Sequence, residues 1–326
     1  MSAFARRIAI ALLHGALACL PLAAQAQDYP PSKPVRIIVP FAAGGPSDIL
    51  ARVLAQKLAA SWKQSVIVDN RAGAGGSLGA GIAAKSAPDG TTLLLSDTGI
   101  LTISPTLYAN LPYTPKDIVP VINLAKNWLV LVAPANSPLN SMADIVARDK
   151  ARPGSVNCAN AGTGSTPHLA AEKLAAAAHV KMTHIPYKGS GPALNDVIAG
   201  QVDTLITSTA AAMPFIKGGK LKVIAVTSLQ RLALLPDVRT AAESGLPGFE
   251  AVGAQGLYAP AGTSPEYARK LNAEVAAIIR QPDMQERWTQ MALSAYDNTP
   301  EQFSAWLAEQ AADWGKLIRE AGIKAE

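Results

Sequence analysis

Two glycine-rich turns offer the clearest chemistry in this sequence. The first, Phe41-Ala42-Ala43-Gly44-Gly45-Pro46-Ser47-Asp48, follows the β-rich run from Val35 to Pro40 and leads into helical spacing from Ile49 to Ala60. Glycines let a backbone turn sharply and leave successive N–H groups bare, and the helix start that follows carries about half a positive charge. Such a terminus holds an anion without a basic side chain. Pro46 and Ser47 suit a first helical turn, and Asp48 is placed to cap it. The second turn, Ala161-Gly162-Thr163-Gly164-Ser165-Thr166-Pro167-His168, follows a strand around Val156 and precedes an alanine-rich helix. Its hydroxyls and amides are a second donor set, and neither turn contains lysine or arginine. If the turns belong to opposite lobes, each grips one end of one anion through amides, hydroxyls and bridging water. Ser96-Asp97-Thr98 ends another strand, where α/β sheets present ligand contacts. Tyr187 is a candidate cleft wall, Lys188 points either to a carboxylate or to solvent, and Trp128 is a stacking or hinge residue.

Other chemistries fit the residues less well. Ser165 and His168 lie three apart at a helix start, without the Gly-x-Ser-x-Gly of a nucleophile elbow, so capping outweighs an exported hydrolase. The four histidines form no H-x-x-x-H pair and no Cys/His cluster, so no metal or other cofactor is expected. Gly73-Ala74-Gly75-Gly76 resembles a dinucleotide loop, yet the third glycine of G-x-G-x-x-G falls on Leu78, and a tight turn is expected instead.

The elements that must position these turns can be read from periodicity. Short strands at 65–69, 92–96, 129–133, 156–159, 184–187, 204–207, 223–227 and 256–259 alternate with helices such as 77–84, 167–178 and 191–199. Alternation of this kind implies parallel sheets covered on both faces. Three amphipathic helices, at 264–280, 283–291 and 300–318, close the chain. The 326 residues suit two α/β lobes, with crossings near Val121 to Trp128 and Phe249 to Leu257. Residues 27–123 with 251–326 are then one lobe, and 124–250 the other.

Residues 1–26 read as a signal peptide: Arg6 and Arg7, an apolar run from Ile8 to Leu22, and a cleavage point after Ala26 in Ala24-Gln25-Ala26. That run is too short and wrongly flanked for a spanning helix, and no later stretch reaches the roughly 20 apolar residues of a membrane span. Loss of the two leader arginines lowers the formal charge from +5 to +3. That thin surplus lacks the Lys/Arg blocks of a nucleic-acid surface. Cleavage also leaves Cys158 alone, a buried strand residue with no disulfide partner.

Longer motifs resemble one family. Val39-Pro40-Phe41 through Gly44-Gly45 to Asp48, Asn70-Arg71 before Gly73-Ala74-Gly75-Gly76, Pro88-Asp89-Gly90, Gly162-x-Gly164-Ser165-x-x-His168-Leu169, Pro186-Tyr187-Lys188-Gly189 and Ala259-Pro260-Ala261-Gly262-Thr263 are similar to the Bug family in the same order. These are the extracytoplasmic binding proteins of tripartite tricarboxylate transporters. The resemblance implies a two-lobed periplasmic binding protein (Venus flytrap) fold of the α/β class, with Rossmann-like lobes and two chain crossovers. It implies a monomer in the periplasm that is not an enzyme and that delivers a small carboxylate to large and small membrane subunits. A ligand sensor for a receptor kinase is the alternative. Carried over by position, the two turns, 41–48 and 162–168, hold the carboxylate, and Thr207 joins the contacts. The family spans di- and tricarboxylates, acidic amino acids and aromatic carboxylates. Here alanine stands at 42, 43 and 254, and Ile206-Thr207 replaces an acidic or aromatic pair. A smaller wall of this kind suggests a bulkier guest, such as the aromatic dicarboxylate terephthalate.

Overall fold

The computed structural model describes residues 29–324. The expected leader and its cleavage point after Ala26 lie outside the described residues. The first half of the chain runs β1 (Val35–Val39), α1 (Pro46–Trp62), β2 (Val66–Asn70), α2 (Ser77–Ala84), β3 (Thr92–Asp97), the short α3 (Gly99–Thr102) and α4 (Ser104–Leu107), and β4 (Ile118–Pro134). The middle adds α5 (Met142–Ala151), β5 (Asn157–Asn160), α6 (Thr166–Ala178), β6 (Thr183–Pro186), α7 (Ser190–Ile198), β7 (Thr204–Ser208), α8 (Thr209–Lys217) and β8 (Leu221–Val226). The chain then forms β9 (Val252–Pro260), α9 (Pro265–Ile279), α10 (Pro282–Gln290), β10 (Leu293–Ala295) and α11 (Pro300–Ala321).

The strands build two sheets that share β4. In the first the order is β2-β1-β3-β9-β4, with β10 on the free side of β4. The second runs β8-β4-β7-β5-β6. β1, β2 and β3 are mutually parallel, as are β5, β6 and β7, but β9 is antiparallel to β3 and to β4, and β4 is antiparallel to β7 and β8. Wholly parallel sheets were expected, and the returning strands make them mixed.

β4 also begins at Ile118 rather than at the expected Leu129. Its polar residues Asn123, Lys126 and Asn127 interrupt the apolar pattern that marks a strand, although the ladder with β9 holds from Ile118 to Trp128. From Leu129 onward the same strand pairs with β7 and β8. One extended segment therefore crosses between lobes, beside a second crossing where Ala251 leads into β9. Thr227 ties the two together. Its N–H donates to Leu129 O, its carbonyl accepts from Ala251 N, and its hydroxyl lies 2.6 Å from Ala251 O while accepting the Leu129 N–H at 3.1 Å.

Period-two alternation in β4 feeds two cores. Leu129, Leu131 and Ala133 pack with Val156, Cys158 and Leu174, whereas Val130 and Val132 pack with Leu194, Val197 and Leu205. Cys158 is fully buried, and that burial pushes its thiol up to about 11. In the first lobe, α1 lays Leu50, Leu54, Leu58 and Trp62 along one face against Ile37, Val39, Leu93 and Leu95. Each such leucine, taken out of water, contributes roughly 2 kcal/mol to holding helix on sheet. Among the described residues no helix is long and apolar enough to cross a membrane.

Candidate functional site

Four helices begin at the cleft between the sheets. α1 follows Gly45 in extended conformation, with Pro46 in its first turn. α6 is capped by Ser165, whose Oγ accepts the His168 N–H, and α8 by Ser208, whose Oγ accepts the Ala211 N–H. α7 starts at Ser190, after Gly189 at φ 143°. All four ends line one small cavity of about 20 Å3. The first lobe supplies Phe41, Gly45, Pro46, Ser47, Asp97 and Gln255, and the crossing strand supplies Asn127 and Leu129. Ala161, Ser165, Pro167, Ser190 and Ser208 come from the second lobe. No lysine, arginine or histidine is in this wall. The positive potential there comes from helix ends, about half a charge each, acting where little water screens them.

Two amides are left incomplete. Ser47 Oγ donates to Gln255 Oε1 at 2.6 Å and fixes that side chain, while Gln255 Nε2 and Asn127 Oδ1 are buried without a partner. Buried polar atoms without partners cost about 1–3 kcal/mol each, a cost that a guest hydrogen-bonding to them removes.

The lobes are closed on one another. Ala42 N donates to Lys188 O at 2.8 Å, Tyr108 Oη to Thr163 O at 2.7 Å, and Thr166 Oγ1 to Asp97 Oδ1 at 2.6 Å. Glycines make the approach possible. A Cβ on Gly191 would collide with Ala43 O, and one on Gly75 with Thr163 O.

These observations meet a direct comparison. Residues 50–323 match the tripartite tricarboxylate transporter family receptor. The chain belongs to that family. The receptor is 38% identical over 299 residues to protein BugT of Bordetella pertussis, covering 91% of this chain and 92% of BugT. It superposes on periplasmic binding protein BugD with a TM-score of 0.86 at 36% identity, covering 91% of this chain and all of BugD. Against the Rhodopseudomonas palustris protein Rpa4515, solved with adipate, the TM-score is 0.87 at 32% identity, with 91% and 99% covered. The receptor has the mixed α/β periplasmic binding protein fold of these neighbours.

Of the residues singled out by sequence, Phe41, Gly45, Ser47, Asp97 and Ser165 line the receptor's central cavity. Gly162, Thr163 and Tyr187 line a second one, about 270 Å3, at the cleft with Gly75, Tyr108 and the exposed Lys188. Ala42, Ala43, Gly44 and Gly164 sit where the lobes touch. Thr166 reaches the cavity only through Asp97. Ser96, Thr98 and Thr207 are buried in or beside the sheets, outside both walls, as is Ala254. The substitutions that suggested a bulkier guest, at 254 and 206–207, therefore do not shape the cavity wall. Trp128 belongs to the crossing, with Lys126 Nζ 4.5 Å from its ring centroid.

Asp48 serves its own loop. Its carboxylate accepts from Gly44 N, Arg52 Nε and Asn70 Nδ2. Burial alone would raise its pKa, but these hydrogen bonds outweigh that and hold it below the usual carboxylate range. His168 is likewise local. Its Nδ1 accepts from Gly164 N at 3.3 Å, so its proton sits on Nε2, 3.5 Å from Glu172 Oε1. Ser165 meets the His168 backbone N–H and not its ring, so the pair is a helix cap rather than a nucleophile and base. His184 Nε2 also lies 3.4 Å from Glu172 Oε1. The fold thus gathers His168, Glu172 and His184 into a cluster that sequence spacing did not reveal. A cation on His168 Nε2 would have to displace the proton that the Gly164 hydrogen bond places there.

Four polar cavity residues escaped the sequence reading: Asn127, Gln255, Ser190 and Ser208. The signal available was a polar residue inside an apolar strand for the first two, and a serine opening a helix after a strand for the others.

Proposed function

We propose that this receptor captures a small carboxylate by closing its lobes and delivers it in the periplasm to a large and a small membrane subunit of a tripartite tricarboxylate-type transporter. The observation that carries the reading is the meeting of four helix N-termini, one from the first lobe and three from the second, on a cavity with no basic side chain. In this reading Phe41, Gly45, Ser47 and Ser165 hold the anion together with Gln255 Nε2, Ser190 and Ser208. The turns at 42–44 and 162–164 close over it. Residues 27–123 with 251–326, and 124–250, are the two bodies, turning about the crossings beside Thr227. The chain acts as a monomer after cleavage behind Ala26, and no bond in the solute is made or broken. A relative at 32% identity solved with adipate supports a dicarboxylate as guest. Closure stabilises the receptor by mass action, so a guest raises its melting temperature.

The test is calorimetric titration of the mature chain with succinate, malate, adipate, citrate and terephthalate. The expected outcome is one guest per chain with a micromolar or tighter Kd for at least one, unchanged after recovery. Absence of heat and of any melting shift with all five at millimolar concentration would defeat the reading.

A further inference from the structure

We propose that Asp97 is a ligand-contacting residue that meets the bound carboxylate as a neutral acid, so that each carboxylate captured takes up one proton from solvent. The inference rests on the carboxylate reading above and deepens it. Asp97 ends β3, is 6% exposed, and lines the central cavity with Ser47, Gln255 and Ser165. Its hydrogen bonds from Gly99 N and Thr166 Oγ1 both fall on Oδ1, at 2.9 and 2.6 Å.

The groups packed around it supply no counter-charge. α6 brings Thr166 and then His168, whose ring is turned to Gly164 and Glu172. β9 brings Gln255, its ladder partner, and Tyr258, a buried phenol held well above its usual range by that burial and therefore neutral. Asp48 on α1 is turned to Arg52 and Asn70, and α3 contains no titratable residue. Burial already pushes the Asp97 carboxyl above the ordinary carboxylate range.

The helix ends favour an ionised Asp97, but they do so with the cavity filled or empty. A guest's negative charge acts only in the filled state. It can therefore only raise the Asp97 pKa further, because two carboxylates in one poorly screened site share a proton. The sign of the linkage follows. Between the pKa of the empty site and that of the filled site, binding carries a proton in and affinity falls roughly tenfold per pH unit. Below that window Asp97 is protonated already and affinity levels off. The neutral acid then donates to the guest, adding one donor to a wall that has no cation.

The experiment is titration of the mature receptor with adipate and with malate from pH 5.5 to 8.5, in buffer pairs of different ionisation enthalpy. The expected result is a Kd that rises by about tenfold or more across the range. The heats should differ between buffers by an amount equal to nearly one proton taken up. Asp97→Asn, which keeps a donor and cannot titrate, should bind with a Kd independent of pH. A flat wild-type Kd with buffer-independent heat overturns the proposal, and so does a pH dependence that survives in Asp97→Asn. If that variant does not fold, the buffer comparison on the wild-type chain still decides. No binding of either acid at any pH overturns the carboxylate reading itself, and this inference with it.

Discussion

The lobes meet at the hinge and again across the cleft, and the two junctions are built differently. At the hinge the contact is backbone ladder: β4 runs unbroken from one sheet to the other, and Thr227 fastens it to the second crossing from a fully buried position. Across the cleft a few directional hydrogen bonds join surfaces that fit because glycine leaves out a side chain. A ladder is satisfied only when whole, whereas donors and carbonyls at the cleft can exchange partners with water on opening. In the proposed closure the ladder is the permanent joint and the cleft the reversible one, both made from the same backbone chemistry.

The sharpest way to break the contrast is Gly191→Ala. The residue is in the first turns of α7 without a left-handed φ, so alanine suits the helix, yet its Cβ would strike Ala43 O of the other lobe. Carboxylate affinity should fall about 100-fold, close to 2.7 kcal/mol, with little change in the melting temperature of the unliganded chain. Small-angle scattering should then show no contraction on adding adipate. Next in size, Ser165→Ala removes both the α6 cap and a cavity hydroxyl. It should weaken binding about tenfold and stability by about 1 kcal/mol, with the stability loss recovered by Ser165→Thr. At the hinge the order reverses. Thr227→Val should cost about 1–2 kcal/mol in urea unfolding while moving the Kd by less than about threefold. The smallest effect belongs to Asp48→Asn, a loss of under about 1 kcal/mol at pH 7. Because the folded carboxyl is held low, its contribution is present above the unfolded pKa of about 4 and fades as pH falls through the folded value, so wild type and variant should converge in acid.

Much of this was legible in advance where one local rule decides. Val35–Val39, Thr92–Asp97 and Thr204–Ser208 are short β-rich runs ending at helix starts, and the first and second turns could be placed from glycine, proline and serine alone. β4 was half lost because Asn123, Lys126 and Asn127 look like loop residues until β9, far along the chain, gives their backbone partners. The cavity was incompletely foreseen for the same reason. Gln255 and Asn127 come to it from crossing strands far apart in sequence, and Ser190 and Ser208 resemble any other helix starts until four of them converge. Asp97 was singled out from its strand-end position, but its isolation from every cation is a property of packing, not of neighbours in sequence.

β4 has a further consequence, for inheritance. The segment 118–134 lies between β9 and the short β10 in one sheet and between β7 and β8 in the other. Neither half of the molecule is complete without it, so the halves are not interchangeable cassettes. Recombination between relatives at Trp128 would join two ladders never selected together. Diversity in such receptors is therefore expected to accumulate by point changes around the cleft, with the shared strand passed on whole.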